Sequence, residues 1–240
     1  FRKTATQQEF LKSQIPFFYA VQSFPRLLCL LASKIPTSEQ RMDVVENIWE
    51  EHGQGNSQLF HTNSYRTYLK ALGLEENKEK LEHNPWVSEW IDFAFNRYSS
   101  HYEFAAYLAG IEYLYALICT DVVPYIESMD LKCEQTHYKK HSVLDWEHGA
   151  ELFKVACTLT SMEKHNVRYI KEAFIKAQTD LLHMYVNLFM PALNQMQEIS
   201  KEKVAFYYSR EHSETEIMAL DNLFTELSKN PNILMICSGG

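Results

Sequence analysis

Three places in the 240-residue sequence set imidazoles and carboxylates at spacings that suit a divalent metal. The first is His141-x3-Asp145-x2-His148. At about 100° per residue, helical offsets of 0, 4 and 7 put the three side chains on one stripe about 60° wide, as a transition metal requires of a single helix. A solvated polar face carrying three unrelated side chains would show the same spacing. The second is Glu112, the one charged residue in the run FAAYLAGIEYLYALI. A carboxylate buried in such surroundings has to be neutral, paired with a cation or bound to a metal, because an isolated buried charge costs several kcal/mol. No Lys or Arg lies within two turns of it. The third is the pair Glu51 and His61, joined by a segment in which Gly53 and Gly55 allow the chain to reverse, so that two helices can deliver a carboxylate and an imidazole to one point.

Together these are three carboxylates and three imidazoles from four helical segments. That is a donor set for two divalent metals in a helical bundle, with positions left open for oxygen and substrate. The mixture suits iron or manganese better than a structural zinc, for which thiolates would be expected. Other candidates carry less. His183 sits in an apolar stretch and is expected to be a satisfied core histidine. His137 precedes His141 by one turn and can stack on it. His52 points about 100° away from Glu51, towards solvent, and Glu50 and Glu147 fall off the stripes and are expected to be surface charges. Tyr107, Tyr113 and Tyr115 around Glu112 read as packing first.

The elements that must position these residues read as one helix after another. Ile15–Ala32 is apolar on most faces, with Pro25 near a kink. Pro36-Thr37-Ser38 starts a second helix, in which Met42, Val45, Ile48 and Trp49 recur at helical spacing up to the breaker Gly53-Gln54-Gly55-Asn56. Further helices are predicted over about His61–Leu72, Pro85–Arg97 with Asn84 as cap, Tyr102–Cys119, Glu134–Leu159 and Glu163–Met190. Pro191 bends or ends the last of these. Gln195–Ser209 and Ser213–Leu227 read as two more amphipathic helices before a loose tail at Pro231–Gly240.

Composition agrees. Apolar residues make up 46 % and charged ones 22 %, so wholesale disorder is excluded, and seven glycines with seven prolines are too few for a turn-rich sandwich or a doubly wound sheet. With no repeat or linker, residues 1–240 are expected to form a single all-α domain. The net charge of −8 and scattered basic residues speak against nucleic acid. No run approaches 18 consecutive apolar residues, so no membrane span is expected, and no basic-then-apolar leader opens the sequence. The chain opens on Phe1, so a preceding N-terminal piece is expected. Five cysteines without a CxxC pair read as core residues or free thiols in a reducing, cytoplasmic setting.

NIWEEHGQGNSQLFH with Glu51 and His61, the adjoining FHTNSYRTYLKALGL, Glu112 in its apolar helix, and the complete H-x3-D-x2-H of His141, Asp145 and His148 resemble the motifs of the heme-oxygenase-like di-iron oxidases and oxygenases. The likeness covers roughly Ile15 to Met190. It implies a heme-oxygenase-like helical bundle of about seven or more helices, a labile pair of Fe(II) ions (manganese being an alternative) held by Glu51, His61, Glu112, His141, Asp145 and His148, and O2 as co-substrate. It implies a small-molecule substrate too, and a homodimer is common on this fold. Asp145 is the expected shifting ligand. Val122 stands where the aminobenzoate-forming branch of that family has a lysine, which argues against that branch's chemistry, and its first-helix tyrosine falls where this chain begins. Two other readings remain at this level. One is a relative on the same fold without di-iron chemistry, such as a thiaminase-like hydrolase or a cofactor-free oxidase. The other is a non-enzymatic metal-storage or interaction protein.

Overall fold

The computed structural model describes residues 7–74, 84–128, 136–160 and 167–189 together with the segments 204–208 and 233–237. Seven α-helices are present among them: α1 Gln7–Lys34, α2 Ser38–Glu51, α3 His61–Ala71, α4 Pro85–Asn96, α5 His101–Ser128, α6 Thr136–Thr160 and α7 Val167–Phe189. Two caps follow the sequence signals. Thr37 accepts from the Gln40 amide to start α2, and Asn84 accepts from the Trp86 and Val87 amides, with Pro85 at the first turn of α4. The helix α1 runs on through Pro16 and Pro25, and α5 continues past Cys119 and through Pro124 to Ser128.

The centre of the bundle is α5, whose residues from Phe104 to Ala109 are all buried. Helices α6 and α7 pack along it because two glycines permit close approach. A Cβ on Gly110 would lie 2.5 Å from the Phe174 carbonyl oxygen of α7, and one on Gly149 of α6 would lie 2.9 Å from the Tyr113 ring. These crossings bring Glu112 beside the stripe on α6. Helix α1 covers the same core, and Gln14 forms a buried polar node there: its Oε1 accepts hydroxyl hydrogen bonds from Tyr68 and Tyr138 at 2.8 Å each.

Several expectations need correction. By length and composition Phe10–Lys34 and His101–Ser128 are apolar enough to cross a membrane, each with mean hydropathy 1.4. Yet 56 % and 67 % of their apolar windows are buried inside the bundle, as core helices of a soluble protein are. Of the four apolar residues at helical spacing in α2, Ile48 packs against the core while Met42, Val45 and Trp49 face outward, and the helix buries Val44, Asn47 and Glu51. His183 is exposed on α7, and Cys29 is exposed while Cys119 is buried. Within the predicted helix Gln195–Ser209, Val204–Tyr208 forms a strand (β1). It pairs in parallel with Ile233–Cys237 (β2) from the predicted tail, in register Val204↔Ile233 to Tyr208↔Cys237. Both segments are rich in β-branched, aromatic or long apolar residues, which favour a ladder over a helix. Ser213–Leu227, Pro191 and the predicted helix starts at Glu134 and Glu163 lie outside the described residues.

Candidate metal centre

The centre begins with a turn. After Glu51, the last residue of α2, Gly53, Gln54 and Gly55 adopt positive φ values of 57°, 53° and 85° in succession. A side chain at Gly53 would strike the Leu59 backbone at 2.6 Å, so glycine is needed for space as well as for conformation. Gln54 bears the strain of a left-handed non-glycine residue. The reversal delivers His61 at the start of α3 with its Nδ1 2.7 Å from Glu51 Oε1. His141, Asp145 and His148 come from α6 and Glu112 from α5.

Ligand-type atoms of Glu51, His61 and His141 lie within 4.8 Å of one another, and so do those of Glu112, Asp145 and His148. All six residues are buried. The two groups touch: His141 Nδ1 is 2.7 Å from Asp145 Oδ1, the His61 and His141 ring centroids are 4.6 Å apart, and His148 Nδ1 is 3.7 Å from Glu112 Oε1. All six residues picked from the sequence are therefore neighbours in the fold.

Each imidazole has one nitrogen tied to a carboxylate: His61 Nδ1 to Glu51, His141 Nδ1 to Asp145, and His148 Nε2 to Glu50 at 2.7 Å. Where the partner is an ionised carboxylate the tied nitrogen donates its proton and the other keeps a lone pair, as histidines that bind metals are commonly oriented. The second nitrogens of His141 (Nε2) and His148 (Nδ1), and the Asp145 Oδ2 atom, are buried and lack hydrogen-bond partners among the described residues. Buried polar atoms are rarely left in that state. His61 differs, since its Nε2 faces the Lys140 ammonium at 2.9 Å.

Burial pushes Glu112 well above the usual carboxylate range, with the charges of Asp145 and Glu51 adding to it. Asp145 is raised in the same way by burial and by Glu51. Burial would also raise Glu51, but the attraction of His61 and its hydrogen bond outweigh that and hold it low. His141 is pushed down to about 4, chiefly by burial, and burial lowers His61 and His148 as well. The imidazoles are thus neutral at pH 7, the form that donates to a metal, while burial biases Glu112 and Asp145 towards their protonated forms, a bias that a bound cation would oppose.

Four neighbours went unassigned in the sequence. Glu50, expected to be a surface charge, holds His148. Lys140 faces His61. Asn47 Nδ2 donates to Glu112 Oε1 at 3.1 Å. His137 stacks on His141 with ring centroids 4.3 Å apart, as the spacing suggested. Glu50 and Asn47 act across 98 and 65 residues of sequence, beyond any local signal. His52 is half-buried, with Nδ1 2.7 Å from the Ile48 carbonyl. Glu147 is exposed as expected.

Two cavities adjoin the centre. An inner one, a small cavity of about 40 Å3, has Glu51, Glu112 and His141 in its wall together with Phe17, Phe24 and Leu181. An outer cleft of about 430 Å3 also reaches Glu51 and is bordered by Arg26, His52 and Phe95.

The fold and the site together define a class, helical bundles that gather imidazoles and carboxylates in two groups in their buried core. A profile of the family described as iron-containing redox enzymes, of heme-oxygenase-like type, matches residues 10–179. The chain belongs to that family. A search of curated proteins finds no match.

Proposed function

We propose that the chain is a non-heme di-iron oxidase or oxygenase that uses O2 as co-substrate to oxidise a small organic molecule. The observation that carries this reading is the pair of buried three-residue groups whose histidines each have one nitrogen anchored to a carboxylate. Glu51, His61 and His141 would hold one metal, and Glu112, Asp145 and His148 the other. The unpartnered His141 Nε2, Asp145 Oδ2 and His148 Nδ1 fit that role. When bound, the iron pair supplies the electrons and open coordination positions that O2 chemistry requires. Manganese fits the same donors.

The protein residues do the rest. Glu50 and Asp145 orient His148 and His141, and Asn47 steadies Glu112. Glu51, Glu112 and Asp145 would leave two Fe(II) with one excess positive charge, which Glu50 offsets while the Lys140 ammonium beside His61 adds one. The apolar side chains around Glu112 keep bulk water from the centre. We take the enzyme to be cytoplasmic and homodimeric, acting on a small molecule and neither on nucleic acid nor on a membrane. Light scattering on the purified chain checks the dimer.

Lys140 favours a second reading, a metal-free enzyme on the same fold, because its ammonium already satisfies His61 Nε2. Anaerobic titration with 57Fe(II) followed by Mössbauer spectroscopy separates the two. Two bound irons per chain, with O2 consumed on mixing, are expected. No iron, or a single iron inert to O2, would overturn the di-iron reading.

A further inference from the structure

The inner cavity beside the centre has a wall of one chemical kind. Phe17, Val21, Phe24, Ile111 and Leu181 contribute hydrocarbon, and no Lys or Arg borders it. Its only carboxylates are Glu51 and Glu112 of the centre. Two other lining residues could have offered polar atoms but use them elsewhere. The Tyr115 hydroxyl is bonded to His137 Nε2 at 2.9 Å, and His137 Nδ1 is 3.1 Å from Ser64 Oγ. Both therefore present ring faces. An anion placed here meets no Lys or Arg side chain, and a cation meets only Glu51 and Glu112, which are already engaged by His61 and Asn47, so charged groups are selected against.

Trp90 of α4 is the exception. It stands between this cavity and a cleft lined by Glu89 and Asp180, is only 5 % exposed, and its indole Nε1–H is shut off from solvent without an acceptor among the described residues. Buried tryptophan N–H groups nearly always find a partner.

We infer that this cavity binds a largely hydrocarbon, uncharged group carrying one hydrogen-bond acceptor, a carbonyl, ether or hydroxyl oxygen, that Trp90 takes. The substrate of the proposed di-iron centre then presents hydrocarbon to Glu112 and His141. This inference rests on that functional reading for the word substrate, but the binding itself needs no metal.

The test uses neutral n-alcohols of increasing length, titrated calorimetrically into the full chain as purified and after chelation of metal. Affinity is expected to rise about fourfold per added methylene until the cavity is full. Lysine and glutamate are expected to show no binding in the same range. Val21→Phe should remove the gain for the longest alcohols and spare the shortest. Leu181→Phe serves the same purpose if the first variant does not fold. Trp90→Phe should weaken all alcohols alike by about three- to tenfold, the worth of one hydrogen bond, with the methylene increment intact. A flat response to chain length, equal binding of charged amino acids, or insensitivity to both cavity-filling variants would overturn the apolar site. An unchanged affinity in Trp90→Phe would overturn the acceptor. Alcohol binding that survives chelation while the iron titration fails would refute the di-iron reading alone, and the reverse pattern would refute this one alone.

Discussion

Glu112→Gln tests the electrostatics of the centre most directly. Glutamine has the same shape and keeps an oxygen for the Asn47 hydrogen bond at 3.1 Å. In the metal-free wild type, burial raises the folded carboxyl well above its ordinary value of 4.5, whereas the unfolded chain titrates near that value. The folded state therefore binds one proton more than the unfolded state from about pH 4.5 up to the raised value. Stability from this group is complete below that window and falls by about 1.4 kcal/mol for each pH unit within it. Glutamine has no such slope. The metal-free variant should therefore gain on the wild type as pH rises above about 4.5, read as a melting-temperature advantage that grows with pH until the raised value is passed. Metal reverses the order. A site filled at 100 times its Kd adds about 2.7 kcal/mol, which the wild type gains at the second group and the variant loses. Calorimetric melting at pH 5, 6, 7 and 8, in chelator and in anaerobic Fe(II), reads both effects, with bound iron counted in parallel. A metal-free variant whose advantage does not grow with pH, or one that still binds two irons, would refute this account of Glu112.

Two further outcomes follow from packing and charge. Gly110→Ala puts a methyl 2.5 Å from the Phe174 carbonyl oxygen, against backbone that cannot yield cheaply, so a loss of about 1–3 kcal/mol is expected by urea denaturation. An unchanged midpoint would mean that α5 and α7 are further apart than described. Glu151 is pushed up to about 7 by partial burial and by the charges of Asp43, Glu147, Glu46 and Glu50. Its folded value lies above the unfolded one, so its cost appears as pH rises from about 4.5 through 7. Glu151→Gln should therefore raise the melting temperature at pH 8 by a few degrees, about 1 kcal/mol after solvent screening, and change nothing at pH 4. Equal shifts at both pH values would discount the charge cluster.

All six centre residues were legible in the sequence because their signals are local. The offsets of His141, Asp145 and His148 follow from helical periodicity alone. Glu112 is conspicuous as one charge in an apolar helix, and Gly53 and Gly55 announce the reversal that joins Glu51 to His61. Their grouping into two sets of three was not legible. It depends on how closely α5 meets α6 and α7, which Gly110 and Gly149 permit but do not by themselves orient.

Long-range contacts explain what the sequence misjudged. Helical spacing in α2 did not say which residues are buried: Ile48 packs inward while Met42, Val45 and Trp49 face out, and the buried face carries Asn47 and Glu51, which meet Glu112 and His61. Glu50 looked like a surface charge until α6 supplied His148, and His183 looked like a core residue until α7 turned it outward. Local spacing thus determined which residues could do chemistry and on which helices they lie. Only the tertiary structure decided which atoms are shut off from water, which carboxylate holds which imidazole, and that an apolar cavity opens beside them, because burial and partner choice are properties of packed helices and not of any one of them.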